Sequence, residues 1–138
     1  MMDYPLLVHQ FLERTSVYFA NKEIITREGD GVHRYNYADL MKRSSRLSHA
    51  LAALGVGAGD RVGTFAWNHY RHLEAYFGVP SMGAVLHTIN IRLFTEDLVY
   101  IINHAGDKVI LIDPDLVPIL EPLASQLESV EQIGRAHV

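Results

Sequence analysis

At 138 residues, with 49% hydrophobic and 20% charged side chains, the sequence has the length and composition of one globular domain and falls outside the disordered class. Its formal charge of −4 comes from interspersed acids and bases, so no basic tract marks a nucleic-acid groove or a membrane surface. Cysteine is absent, which excludes disulfides and thiolate chemistry, and neither a basic secretory start nor a run of the ~18 apolar residues that span a bilayer occurs, so a soluble, cytoplasmic chain is expected.

Leu7, Phe11, Leu12 and Phe19 predict an amphipathic helix over about residues 6–20. EIITREGDGVHRYNY follows, two β-rich runs bracketing Gly29-Asp30-Gly31, and the Asp-Gly pair predicts an antiparallel hairpin. Asn36 then stands as an N-cap, with Asp39 in a near capping-box position. Leu40, Leu47, Leu51 and Leu54 recur at helical spacing up to Gly55, which predicts a helix over 37–54.

From residue 60 the pattern alternates between element types. Strands are expected in DRVGTFAW, AVLHTIN and KVILID, and helices in HYRHLEAYFGVPSMGA, TEDLVYIINHAG and LVPILEPLASQLE. Thr95 can cap the second of these helices, with Glu96 and Asp97 at its positive end. KVILID is apolar throughout, as a parallel strand covered on both faces must be. Such alternation implies right-handed crossovers and a layered α/β fold.

Candidate chemistry is sparse. Gly55, Gly57 and Gly59 form GVGAG, but they follow a helix and precede a strand, the wrong order for cradling phosphate, so a turn is the better reading. His69 and His72 share a helix face near Glu74 but lack further ligands for a metal, and His87 and His104 stand without identifiable partners. No phosphate-loop motif and no nucleophile elbow is present.

The terminal IGRAHV is one reading frame of a common short-read sequencing adapter, up to its stop codon, and the adapter's leading bases would complete the codon of Gln132. We therefore expect the native sequence to occupy residues 1–132 and a non-native tail to occupy 133–138.

The block GDRVGTFAWNHYRHLEAYFGVPSMGAVLHTINIRLFTEDLVYIINHAGDKVILID, residues 59–113, resembles the N-terminal region of adenylate-forming acyl-CoA synthetases, especially medium- and long-chain fatty acid ligases. YNYADLMKRSSRLSHALAALGVGAGDRV resembles the opening of the same family, so the likeness runs over about residues 5–132. Many members have Asn-Pro-Arg where this chain has Asn90-Ile91-Arg92, a departure confined to a turn.

The resemblance implies an α/β fold, the first part of a large domain with an incomplete sheet. It also implies a parent enzyme that joins a fatty acid to CoA through an acyl-adenylate, using ATP and Mg²⁺, with a homodimer contact compatible with this region. The family's phosphate loop, metal-binding acids, ribose-binding Asp and C-terminal lysine all lie downstream. No catalytic, cofactor-binding or metal-binding residue therefore carries over onto residues 1–132, and the chain alone is expected to be inactive. Two other readings stay open: a ligase for aryl or short acids, and a genuine short binding or dimerisation module. An unrelated nucleotide-binding α/β domain would require a glycine loop after a strand, which is missing.

Overall fold

The computed structural model describes residues 3–5 and 7–135. The predicted helix at 6–20 is realised as α1, Val8–Tyr18; Leu6 lies outside the described residues. Leu12 is the one buried residue of α1.

The hairpin follows as β1 (Glu23–Glu28) and β2 (Gly31–Asn36), paired from Glu23↔Asn36 to Glu28↔Gly31. Its turn is Gly29–Asp30 rather than Asp30–Gly31: Gly29 takes φ +53°, which a first turn residue can adopt cheaply only as glycine. Helix α2 (Tyr37–Ala53) starts where expected, with the Asn36 side chain accepting the Asp39 amide at 2.9 Å.

Four parallel strands then form one sheet in the order β4-β3-β5-β6, where β3 is Arg61–Phe65, β4 Val85–Thr88, β5 Asp107–Ile112 and β6 Gln132–Arg135. Helix α3 (Tyr70–Ser81) links β3 to β4, and α4 (Thr95–Ala105) links β4 to β5. The sidedness of β5 explains its unbroken apolar run. Val109 and Leu111 pack with Leu47 and Leu51 of α2 and with Ala75 and Val79 of α3. Ile110 and Ile112 pack on the other face with Leu98 and Ile102 of α4. Each such side chain, fully buried, contributes roughly 1.5–3 kcal/mol. A smaller cluster of Leu12, Tyr35 and Leu40 seats α1 and the hairpin.

Two expectations fail locally. The helix predicted over 116–128 is broken into a 3-10 turn at Pro114–Leu116, one α turn at Val117–Leu120 (α5) and a second 3-10 turn at Glu121–Gln126. Pro118 and Pro122 lack the amide hydrogens a continuous helix needs, and apolar periodicity does not offset that loss. Thr95 does not cap α4; the N-cap is Phe94, without a side-chain bond, and Thr95 is the first helical residue. Among the described residues no helix is long and apolar enough to cross a membrane.

Candidate functional site

In open α/β sheets ligands gather at the carboxyl ends of the strands, where successive connections leave in opposite directions. Here that point lies between β3 and β5. The β3–β4 connection carries α3 on one face of the sheet, and the β4–β5 connection crosses back over β3 with α4 on the other. The residues just beyond these strand ends are Ala66–His69 and Asp113.

Asp113 is 2% exposed and organises the turn after β3. Its carboxylate accepts the Trp67 amide at 2.8 Å and His69 Nε2–H at 2.6 and 2.8 Å, while Arg71 Nε approaches to 3.8 Å. His69 Nδ1 accepts the His72 amide at 3.3 Å, which caps α3 and places the ring proton on Nε2, facing Asp113.

His72 completes the arrangement from the opposite side. Its Nδ1–H donates to the Trp67 carbonyl at 3.2 Å, and its Nε2 accepts the Thr64 hydroxyl at 3.0 Å. Burial holds the His72 pKa below its ordinary value; the Trp67 carbonyl opposes this and His69 reinforces it. The Trp67 peptide is thus held at both its N–H and its C=O, and the indole N–H donates to Asp115 at 2.8 Å. The residue as a whole remains 46% exposed.

A groove of about 360 Å³ opens beside this turn, lined by Trp67, Asn68, His72 and Tyr76 on one side and by Thr88–Arg92, after β4, on the other. Arg71 ties the turn to the hairpin, bonding Glu28 at 2.9 Å and the Tyr70 hydroxyl at 2.7 Å. The arrangement can hold and orient a bound group. The Thr64 hydroxyl is 1% exposed and already committed to His72.

His69 and His72, paired in sequence, do meet in space, and their partners are Asp113 and Thr64 rather than a metal. Among the described residues no three His, Asp or Glu side chains converge as a metal site. His87 acquires a partner that its local sequence does not reveal, Asp107 at 2.7 Å. Asp107 is fully buried, and burial raises its pKa against the opposing His87 bond. His104 stacks on Tyr100 at 5.4 Å. The GVGAG segment lies between α2 and β3, at the far end of the sheet from the groove, where Lys108 Nζ bonds the Gly55 carbonyl and Asp60. Asp113 and Trp67 escape a reading of the sequence because they stand 46 residues apart. The strand-end position of Asp113 in KVILID is the only hint.

Comparison with known proteins identifies the family and the fold. The model of the family described as AMP-binding enzyme matches residues 11–137. A long-chain-fatty-acid–CoA ligase of Thermus thermophilus is 52% identical over 132 residues, which are 95% of this chain and 24% of that protein. A 3-methylmercaptopropionyl-CoA ligase of Ruegeria lacuscaerulensis is 42% identical over the same shares of each chain. The chain thus spans about a quarter of the length of these relatives.

Among solved structures, the anthranilate CoA ligase AuaEII in complex with anthranoyl-AMP superposes with a TM-score of 0.86 at 25% identity, covering 95% of this chain and 25% of that one. The N-terminal domain of FACL13 from Mycobacterium tuberculosis gives 0.83 at 22% identity, covering 94% and 33%, and supports the fold. The α/β architecture, with its incomplete sheet, is that of the N-terminal region of adenylate-forming enzymes. With its family model matched from residue 11 to residue 137, the chain belongs to the AMP-binding enzyme family.

Proposed function

We propose that the chain is the N-terminal portion of a longer acid–thiol ligase that converts a fatty acid, ATP and CoA into acyl-CoA, AMP and pyrophosphate through an acyl-adenylate. The observation that carries this reading is the 52% identity to a long-chain-fatty-acid–CoA ligase over 95% of the chain. A medium-chain-fatty-acid–CoA ligase of Ectopseudomonas oleovorans at 39% identity supports it further. The chemical logic is activation, since AMP is a good leaving group where carboxylate oxygen is not, and charge on the transferring phosphate must be met by donors and cations. Among the described residues no three His, Asp or Glu side chains converge to hold Mg²⁺. On this reading the ion's ligands and the phosphate-binding loop lie in the rest of the parent, and the isolated chain is expected to lack activity.

A second reading keeps the chemistry and changes the acid. The 42% identity to a 3-methylmercaptopropionyl-CoA ligase favours a short substituted acid. In either case residues 133–138 are read as a non-native tail, although Ile133–Arg135 extend the sheet as part of β6; residues 136–138 lie outside the described residues.

The test starts from the gene. Its DNA is read past the Gln132 codon, and the recovered full-length protein is assayed for acid-dependent ATP–pyrophosphate exchange and thioester formation. A glycine-rich phosphate loop downstream, with activity on fatty acids and none from the 138-residue chain, is the expected result. Preference for short substituted acids would select the second reading. A genomic stop codon after Val138 would sink both and leave a binding module.

A further inference from the structure

Asp107 is an enclosed carboxyl group with too few donors for a carboxylate. The residue is fully buried, its Oδ2 lies 2.7 Å from His87 Nδ1, and its Oδ1 has no hydrogen-bond partner among the described residues. The Arg61 guanidinium, which acts on it from β3, is bonded instead to the Gly59 and Gly106 carbonyls. Ser129 Oγ donates to the backbone carbonyl of Asp107 and not to its side chain. An ionised carboxylate calls for donors on both oxygens, and a bare one in the interior costs far more than the bare carbonyl oxygen of a neutral acid. Oδ1 is sealed by this chain alone, so no later segment of a longer protein reaches it without displacing these residues.

Two features of the sheet bring the group there. Strand β5 carries an extra residue, Lys108, between the pairs Arg61↔Asp107 and Val62↔Val109. In an unbroken strand Asp107 would share the face of Val109, toward α2 and α3. The bulge turns it to the opposite face, where its Oδ2 lies 3.2 Å from the point that a Cβ on Gly63 would occupy, beside Ile89 and Ile110. Glycine at 63 leaves that space open. Strands β4 and β5, which do not pair with each other, are thereby joined by a side-chain bond over β3.

We propose that Asp107 and His87 form a pH-sensitive clasp on the sheet, with Asp107 a neutral acid whose Oδ2–H donates to His87 Nδ1. Among the described residues, His87 from β4 and Arg61 from β3 are the titratable or charged groups that act on Asp107, and both oppose the rise that burial imposes on its pKa. The clasp therefore holds in full below the ordinary carboxyl value of about 3.9 and is lost as pH rises through the raised value. Relief comes from parting His87 from Asp107 and admitting water, which loosens β4 where it leads into Thr88–Arg92. The inference does not depend on the ligase reading.

The test is hydrogen exchange of the Val85–Thr88 amides in the natural full-length protein, corrected for intrinsic exchange, from acid to alkaline pH. Protection in the unmutated protein should fall by up to about tenfold per pH unit above about pH 4 and level off once Asp107 ionises in place. D107N keeps a donor for His87 Nδ1 and a carbonyl oxygen at the Oδ1 position, and has no proton to lose. Its protection should match the acid value of the unmutated protein and stay flat. H87A removes the acceptor and should lower protection at every pH.

Protection that is independent of pH in the unmutated protein would overturn the proposal. So would D107N losing protection at every pH, the sign of a carboxylate that needs His87 as its donor. Should D107N fail to fold, infrared spectra of the unmutated protein, isotope-labelled at its aspartate carboxyls, decide the matter. A protonated-carboxyl band that persists above the ordinary aspartate range is expected, and its absence defeats the clasp.

Discussion

Arg43 grips Glu74 with two donors, Nε at 2.6 Å and an Nη at 3.2 Å, and so joins the middle of α2 to the middle of α3. Glu74 is 2% exposed, and among the described residues Arg43 supplies both hydrogen bonds to its carboxylate. Truncating Arg43 to Ala strands a buried carboxylate and should cost about 3–5 kcal/mol, whereas the paired replacement R43M/E74L should recover most of the loss. Urea unfolding of the chain at low concentration measures both. Equal losses for the single and the paired variant would show that the two residues are not energetically linked.

The same two helices are in close contact at Gly78. A Cβ there would stand 2.9 Å from the Ser44 carbonyl oxygen and 3.3 Å from a Leu47 methyl, and Ser48 Oγ donates to the Gly78 carbonyl at 2.7 Å. Alanine favours helix by about 1 kcal/mol, but backbone contact leaves no room for it. G78A should therefore lower stability by about 1–3 kcal/mol, read as a reduced urea midpoint. A raised midpoint would mean that α2 and α3 part more easily than their contacts imply.

Two buried titratable groups act on stability in opposite directions. Folding lowers the His72 pKa by burial, so its contribution is full above the ordinary imidazole pKa of about 6.5 and is lost as pH falls below it. Folding raises the Asp107 pKa by burial, so its contribution is full at acid pH and is lost as pH rises through the raised carboxylate range. H72N should flatten the acid limb of a stability–pH curve and D107N the limb above about pH 4. Parallel curves for either variant and the unmutated chain would remove that residue from the linkage.

Trp67 is the only tryptophan in the chain, so its emission reports directly on the turn after β3. D113A should shift the emission to the red and increase iodide quenching, because the amide and His69 lose their shared acceptor. D115N should leave the backbone in place and change the ring's anisotropy alone. Unchanged emission in D113A would show that His72 suffices to hold the turn.

The apolar side chains of α1 that point away from the core predict association. Phe11, Val17 and Tyr18 are 66%, 71% and 69% exposed, and among the described residues nothing pairs with the outer edges of β4 and β6. Sedimentation velocity should find the 138-residue chain self-associating with concentration, and F11K/Y18K should suppress this without altering the far-UV spectrum. A monomeric, cooperatively unfolding sample would contradict it.

Most of the architecture is legible in the sequence where one residue settles one local question. Asn36 announces the start of α2 because a side-chain acceptor at that point satisfies an otherwise unpaired amide. KVILID announces a strand covered twice because alternate residues have separate hydrophobic partners. Pro118 and Pro122 show the limit of periodicity, since the spacing of Leu116, Leu120 and Leu123 persists through a segment whose backbone cannot sustain a helix. The site is the least legible part. Asp113 reaches Trp67, His69 and Asp107 reaches His87 only after strands and helices have been assembled, and nothing in the spacing of these residues foretells the pairing.

The strand order carries a consequence for synthesis. Strands β4, β3 and β5 all come from residues 61–112, so their sheet can close as soon as that stretch leaves the ribosome. The partner strand β6 begins at Gln132, 20 residues after β5 ends at Ile112. At ~5–20 residues per second that stretch takes on the order of one to a few seconds to make. Until it arrives, the nascent sheet presents a finished row of unpaired peptide groups along the outer edge of β5.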